Sequence, residues 1–140
     1  MKILLAADGS RYSKKMLAYL AAHDEVFGTQ HAYVVLSVSA PIPIAMHTAE
    51  SRAAVQQFHA DENAKVLAPI AKFLSRQGLD AKTVAKVGLP GPVIARFAET
   101  GKFDLVVMGS HGHGALANLV LGSVATQVLA RCRVPVLLVR

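Results

Sequence analysis

A chain of 140 residues has the length of one domain, which excludes a multidomain enzyme and a linker-joined array. Hydrophobic residues make up 53% of it and charged residues only 17%, a mixture too apolar for a disordered chain and suited to strands buried on both faces. The net charge of +6 would suit a nucleic-acid binder only if the cations were clustered. Apart from Lys14 and Lys15 they stand singly, so nucleic acid is not the expected partner, and the charge is read as a solvated surface that attracts anionic metabolites.

No apolar run approaches the roughly 18 residues of a membrane span, and strand-like sequence begins at Lys2, leaving no room for a signal peptide. A lone Cys132 offers neither an internal disulfide nor a cysteine zinc site, as expected of a protein in a reducing compartment. The expected location is cytoplasmic.

Residues 2–7 form a continuous apolar run closed by the turn chemistry of Asp8, Gly9 and Ser10, a buried strand ending at Asp8. From residue 11 to 27, apolar positions at Met16, Leu17, Leu20 and Ala21 mark an amphipathic helix with Gly28 as its stop. Residues 32–38 read as a second buried strand. Pro41 and Pro43 interrupt regular structure, and residues 41–46 are expected to form either a flap near the pocket or a plain connector. A long helix follows over residues 47–77, with a bend expected at Pro69 and Gly78 behind it. Residues 81–87 give a weaker third strand. Pro92 is placed in the first turn of a short helix reaching Thr100, where a missing amide proton costs nothing. Residues 105–108 form the fourth strand. Leu121, Val124, Val128 and Cys132 then share one face of a last helix, before a fifth strand from Val134 to Val139.

This alternation predicts an α/β fold: an open, doubly wound, five-stranded parallel sheet of order 3-2-1-4-5 with helices on both faces, as a single domain over residues 1–140. In such sheets ligands bind beyond the carboxyl ends of the strands, where the winding reverses. Here that point lies between strands one and four, which brings Asp8 beside the loop after Met108.

That loop contains Gly109, Gly112, Gly114 and Gly122, expected to supply positive φ and close backbone approach, and Gly122–Ser123 falls where a helix begins, a site for an anion. On composition alone the glycines could equally serve turns, with Ser123 capping the helix. A P-loop is excluded because Gly114 is followed by Ala115 rather than Lys. A dinucleotide fingerprint at residues 112–117 lacks its acidic partner, since no Asp or Glu follows Asp104. A phosphoacceptor receiver domain is disfavoured because the third strand ends in Lys86 and Val87. His111 and His113 alternate like metal ligands, but no Cys or carboxylate accompanies them in the loop.

The pattern that fits is glycine, two residues, glycine, nine residues, glycine-serine, met by Gly109, Gly112, Gly122 and Ser123. With Asp8-Gly9-Ser10, Val87 to Pro90, Asp104 to Gly112, Leu121 to Val124 and the closing apolar strand, the whole chain resembles the universal stress protein family in its nucleotide-binding branch. The resemblance implies an ATP or AMP site, with Mg2+ accompanying ATP. Asp8 and Val38 would border the adenine, with Ala7 beside them. Met108 and Gly109 would line base and ribose. Gly112, Gly122, Ser123 and Val124 would meet ribose and phosphates, with His111 and His113 completing the loop. Many relatives carry Arg where this chain has His113, which cannot make the same bidentate phosphate contact. Family dimers commonly pair their last strands, and the apolar edge from Val134 to Val139 carries no charge to discourage this, so a homodimer is expected.

Three functional readings stand at this point. The first is a stress-response protein acting through its nucleotide-bound state. The second is a slow ATP hydrolase in which Asp8 and Ser123 share a magnesium ion. The third is a nucleotide-free interaction module. No general base and no phosphate-neutralising lysine is evident for fast phosphoryl transfer, so at most a weak ATPase is expected.

Overall fold

β-Branched and leucine-rich runs become strands here because both of their faces find cover. The computed structural model describes residues 1–43, 48–114 and 118–140. In chain order the elements are β1 (Lys2–Ala6), α1 (Arg11–Ala22), β2 (Ala32–Ser39), α2 (Ala49–Arg76), β3 (Ala81–Val87), α3 (Pro90–Thr100), β4 (Leu105–Gly109), α4 (Ser123–Arg131) and β5 (Val136–Val139). All pairings are parallel and the order is β3-β2-β1-β4-β5, as the alternation predicts. Leu4 stands opposite Val34 on one side and Val106 on the other.

The two-residue period divides the sheet into two cores. Ile3, Leu5, Val35 and Val107 pack against Met16, Leu17 and Leu20 of α1 and Leu67, Ile70 and Leu74 of α2. Leu4, Ala6, Leu36, Val106 and Met108 face Ile94 and Ala98 of α3 and Ala125 and Val128 of α4. Leu4 and Leu5 are fully buried, each contributing about 1.5–3 kcal/mol by leaving water.

Several boundaries differ from the sequence reading. Helix α1 stops at Ala22 rather than Phe27; His23 caps it, and its ring nitrogen Nδ1 bonds Tyr19 O at 2.8 Å. Phe27 is buried all the same, from a turn closed by its own amide on His23 O at 2.9 Å, so its apolar spacing reports core contact and not helix. Helix α2 starts at Ala49 with Thr48 accepting from Ser51 N at 3.1 Å, and it continues through Pro69 as one helix. His47, its expected first residue, and residues 44–46 of the expected flap lie outside the described residues. Gly78 follows with φ +76°, the left-handed conformation that ends helices. Helix α3 begins two residues before Pro92, at Pro90, where free first-turn amides make both prolines harmless. Strand β5 begins at Val136 rather than Val134: Pro135 can donate nothing to a ladder, although its carbonyl still accepts from Val106 N at 2.9 Å.

One polar chain crosses the otherwise apolar contact between β2 and α2. Ser37 Oγ donates to Asn63 Oδ1 at 2.9 Å, Asn63 Nδ2 donates to Ser39 Oγ at 3.2 Å, and Ser39 Oγ bonds His59 Nδ1 at 2.9 Å. Ser37, Asn63 and His59 are all buried. Polar groups in such a place fix register, because any slip leaves them unpaired. Replacing Asn63 with Ala strands the Ser37 hydroxyl, and urea unfolding is expected to show a loss of about 1–3 kcal/mol. Unchanged stability would show that the chain of bonds contributes nothing.

Candidate functional site

The site grows from the turn between β1 and α1. Ala7 N still bonds Leu36 O at 3.0 Å, so the strand ladder runs to the edge of the turn. Asp8 leaves it: its amide donates to Ser13 Oγ at 3.0 Å, and its Oδ1 accepts from Ser10 N at 2.9 Å and from Ser13 Oγ at 3.0 Å. Gly9, at φ +77°, makes the reversal possible. The carboxylate therefore has two ends. Oδ1 holds the turn, and Oδ2 takes no hydrogen bond among the described residues and lies above Gly112, 2.7 Å from where a Cβ there would stand.

The second half is the loop after β4. Ser110 N bonds Val139 O at 2.8 Å, and Gly122 N bonds Ser110 O at 2.8 Å, so the loop returns to its own base before α4 starts. His111 spans the bight. Its Nε2 faces Leu119 O at 2.8 Å and must carry the proton, since a carbonyl only accepts, while Nδ1 bonds Ser110 Oγ at 2.8 Å. The Tyr12 ring packs beside it with centroids 5.0 Å apart. His113 reaches across to β1 and donates from Nε2 to Asp8 O at 2.7 Å, joining positions 105 residues apart.

Gly109, Gly112, Gly114 and Gly122 do not use positive φ, contrary to the expectation from sequence; the positive-φ glycines among the described residues are Gly9, Gly78 and Gly88. Their reason is space. A Cβ on Gly109 would stand 2.6 Å from Tyr12 Cβ, and one on Gly122 would stand 2.9 Å from His111 Cα and 3.0 Å from Ser110 O. Gly114 alone of the four has open room. The capping alternative for Ser123 is also corrected: Gly122 is the N-cap and Ser123 the first helical residue. Thr126 N bonds Gly122 O at 3.0 Å, so the preceding amides of Ser123, Val124 and Ala125 are the donors that a helix start leaves over.

Between these halves is a cavity of about 290 Å3. Ala7, Asp8, Val38, Met108, Gly109, His111, Gly112, His113, Gly122, Ser123 and Val124 all line it. Sequence reasoning did not name Ser13, Leu36, Pro90 or Ile94, which line it too. Leu36 was available from the two-residue period, being on the same strand face as Val38, and Ser13 lies within one helical turn of the Asp8 turn. Pro90 and Ile94 reach the cavity from α3, and no local signal marks that. Leu36, Val38 and Met108 bring apolar surface to the cavity, and Ser123, Val124 and Ala125 bring the start of α4. Among the described residues no three His, Cys, Asp or Glu side chains are placed to hold a metal ion.

A family model described as the universal stress protein family matches residues 1–140. A universal stress protein of Synechocystis is 31% identical over 140 residues, covering 99% of this chain and 42% of its own length, so this chain spans less than half of that relative. The solved structure of protein MJ0577, from Methanocaldococcus jannaschii, superposes with a TM-score of 0.75 at 29% identity, over 99% of this chain and 94% of that one. An Arabidopsis thaliana universal stress protein family protein, solved with AMP bound, shares the fold at a TM-score of 0.72 and 15% identity, over 99% of this chain and 90% of its own.

Proposed function

The chain belongs to the universal stress protein family, and on that premise we propose that it is a cytoplasmic stress-response protein that binds an adenine nucleotide, ATP or AMP, at the cavity between β1 and β4 and acts as a nucleotide-dependent regulator. The observation that carries this reading is that one cavity is lined by three complementary kinds of group: the apolar side chains of Leu36, Val38 and Met108, the Asp8 Oδ2 that takes no hydrogen bond among the described residues, and the amides of the α4 start. A purine ring needs a flat apolar slot and an acceptor for its amino group, and a phosphate needs clustered N–H donors with a positive helix end. The AMP found in the Arabidopsis protein of like fold supports it.

The residues do not suit a protein-held Mg2+. Among the described residues Asp8 is the sole carboxylate lining the cavity, one of its oxygens is engaged by Ser10 and Ser13, and no three-ligand group accompanies it. Among the described residues neither a lysine nor an arginine lines the cavity to neutralise a phosphoryl group in transfer. The protein is therefore read as working through its bound state, with hydrolysis slow or absent. No described helix is long and apolar enough to cross a membrane.

Base selectivity tests the reading. Asp8 Oδ2 can accept from the amino group of adenine, whereas guanine presents a carbonyl at the corresponding position and would be repelled. Calorimetry is expected to show AMP binding at least tenfold tighter than GMP. Asp8→Asn should weaken AMP by about 1.5–3 kcal/mol, the range for a hydrogen bond to a charged group. Equal affinity for the two bases would remove Asp8 from the site.

A second feature concerns assembly. β5 is an edge strand, with β4 on one side and no strand among the described residues on the other. Its residues Val136, Leu137 and Leu138 are only half-buried, and nothing on the strand carries charge. Such an edge invites pairing with another strand, and a two-fold contact through β5, in the sequence from Val134 to Val139, would cover it in both copies. The homodimer is part of the proposal.

A further inference from the structure

Resting on the reading of the cavity as an adenine-nucleotide site, we infer that it selects a nucleotide with a single phosphate and discriminates against di- and triphosphates. Among the described residues lining the cavity there is no Lys and no Arg, and Asp8 is their one formal charge. The remainder of the loop, Ala115, Leu116 and Ala117, brings no charge by composition. The histidines are committed elsewhere. His111 has Nδ1 on Ser110 and Nε2 on Leu119, and His113 donates from Nε2 to the Asp8 carbonyl. The cations of α1 do not line it: the Arg11 guanidinium and the Lys15 ammonium lie 5.0 and 5.2 Å from the centre of the Tyr12 ring, and neither residue is among those lining the cavity.

What remains for an anion is one helix start. The amides of Ser123, Val124 and Ala125 and the α4 dipole supply about half a unit of positive charge, enough to suit one phosphate. Each further phosphate adds negative charge that meets no cation in the cavity and feels the Asp8 carboxylate. The space agrees: about 290 Å3 is at the small end of the roughly 300–1,000 Å3 spanned by small-molecule pockets.

Gly114 provides the test, because it lines the cavity and a Cβ there would meet nothing within 4 Å among the described residues. Calorimetry on the full chain with AMP, ADP and ATP, each with and without Mg2+, is expected to rank AMP at least tenfold tighter than ATP, with ADP between. Raising the salt should narrow the gap by screening. Gly114→Arg should close most of it, because the added guanidinium favours the more highly charged ATP over AMP. ATP binding as tightly as AMP in the wild-type chain would overturn the inference and leave the adenine site standing. A gap that persists unchanged in folded Gly114→Arg would overturn it as well, since the discrimination would not be one of charge. Failure of all adenine nucleotides to bind the folded protein would remove both the inference and the reading beneath it.

Discussion

Gly122→Val is expected to reduce adenine-nucleotide affinity more than a hundredfold while the far-ultraviolet circular dichroism spectrum stays that of the parent. From sequence, the added side chain would simply occupy the phosphate's approach; the geometry shows a different route to the same loss. A Cβ at position 122 would stand 2.9 Å from His111 Cα and 3.0 Å from Ser110 O, against backbone that cannot swing aside as a side chain could. The valine would force the loop off its base, stretching the 2.8 Å bond from Gly122 N to Ser110 O and carrying the α4 amides away from Gly112 and His111. Overpacking of this kind costs about 1–3 kcal/mol, so the domain should remain folded with a lowered melting temperature. Gly114→Ala is the companion control, since that position has room and should bind as the parent does. Undiminished binding in Gly122→Val would separate the loop from the ligand.

Leu137→Lys is expected to shift a wild-type dimer to monomer, read as a halving of mass in sedimentation equilibrium at tens of micromolar. Leu137 is half-buried on β5 and packs at the margin of the core formed with α1 and α2. In a monomer a lysine there can lay its methylenes along that margin and lift its ammonium into water. Across a two-fold strand pair the same lysine would meet its copy in a partly dried contact, where like charges repel and neither has a partner. The backbone ladder from β4 to β5, which pairs Val107 with Leu137, does not depend on the side chain, and retained circular dichroism would confirm that the strand survives. Wild-type protein that sediments as a monomer at high micromolar concentration would remove the dimer from the proposal.

The alternation of buried runs with amphipathic stretches was legible because each is encoded within a few residues: a strand needs only a two-residue period and a helix only a spacing of three and four. Right-handed parallel crossovers then left few topologies to choose from, and the order β3-β2-β1-β4-β5 and the meeting of Asp8 with the loop after Met108 followed from that. The eleven candidate residues were those that the resemblance to the universal stress protein family implied, and all of them line one cavity.

Tertiary structure alone decided what short-range pattern does not contain. Phe27 carries the spacing of a helix and is buried, yet it sits in a turn, since burial depends on what the chain folds against. Gly109, Gly112 and Gly122 are glycines for want of space beside Tyr12, Asp8 and Ser110, neighbours that exist only once β1, α1 and β4 are assembled. The direction of His113 toward the Asp8 carbonyl, the commitment of His111 to Leu119, and the arrival of Pro90 and Ile94 from α3 are contacts between separate segments of chain. A single sequence states the chemistry of each residue and the period of each element. Which groups remain unpaired to meet a ligand is settled only when distant segments have made their own hydrogen bonds and filled their own space.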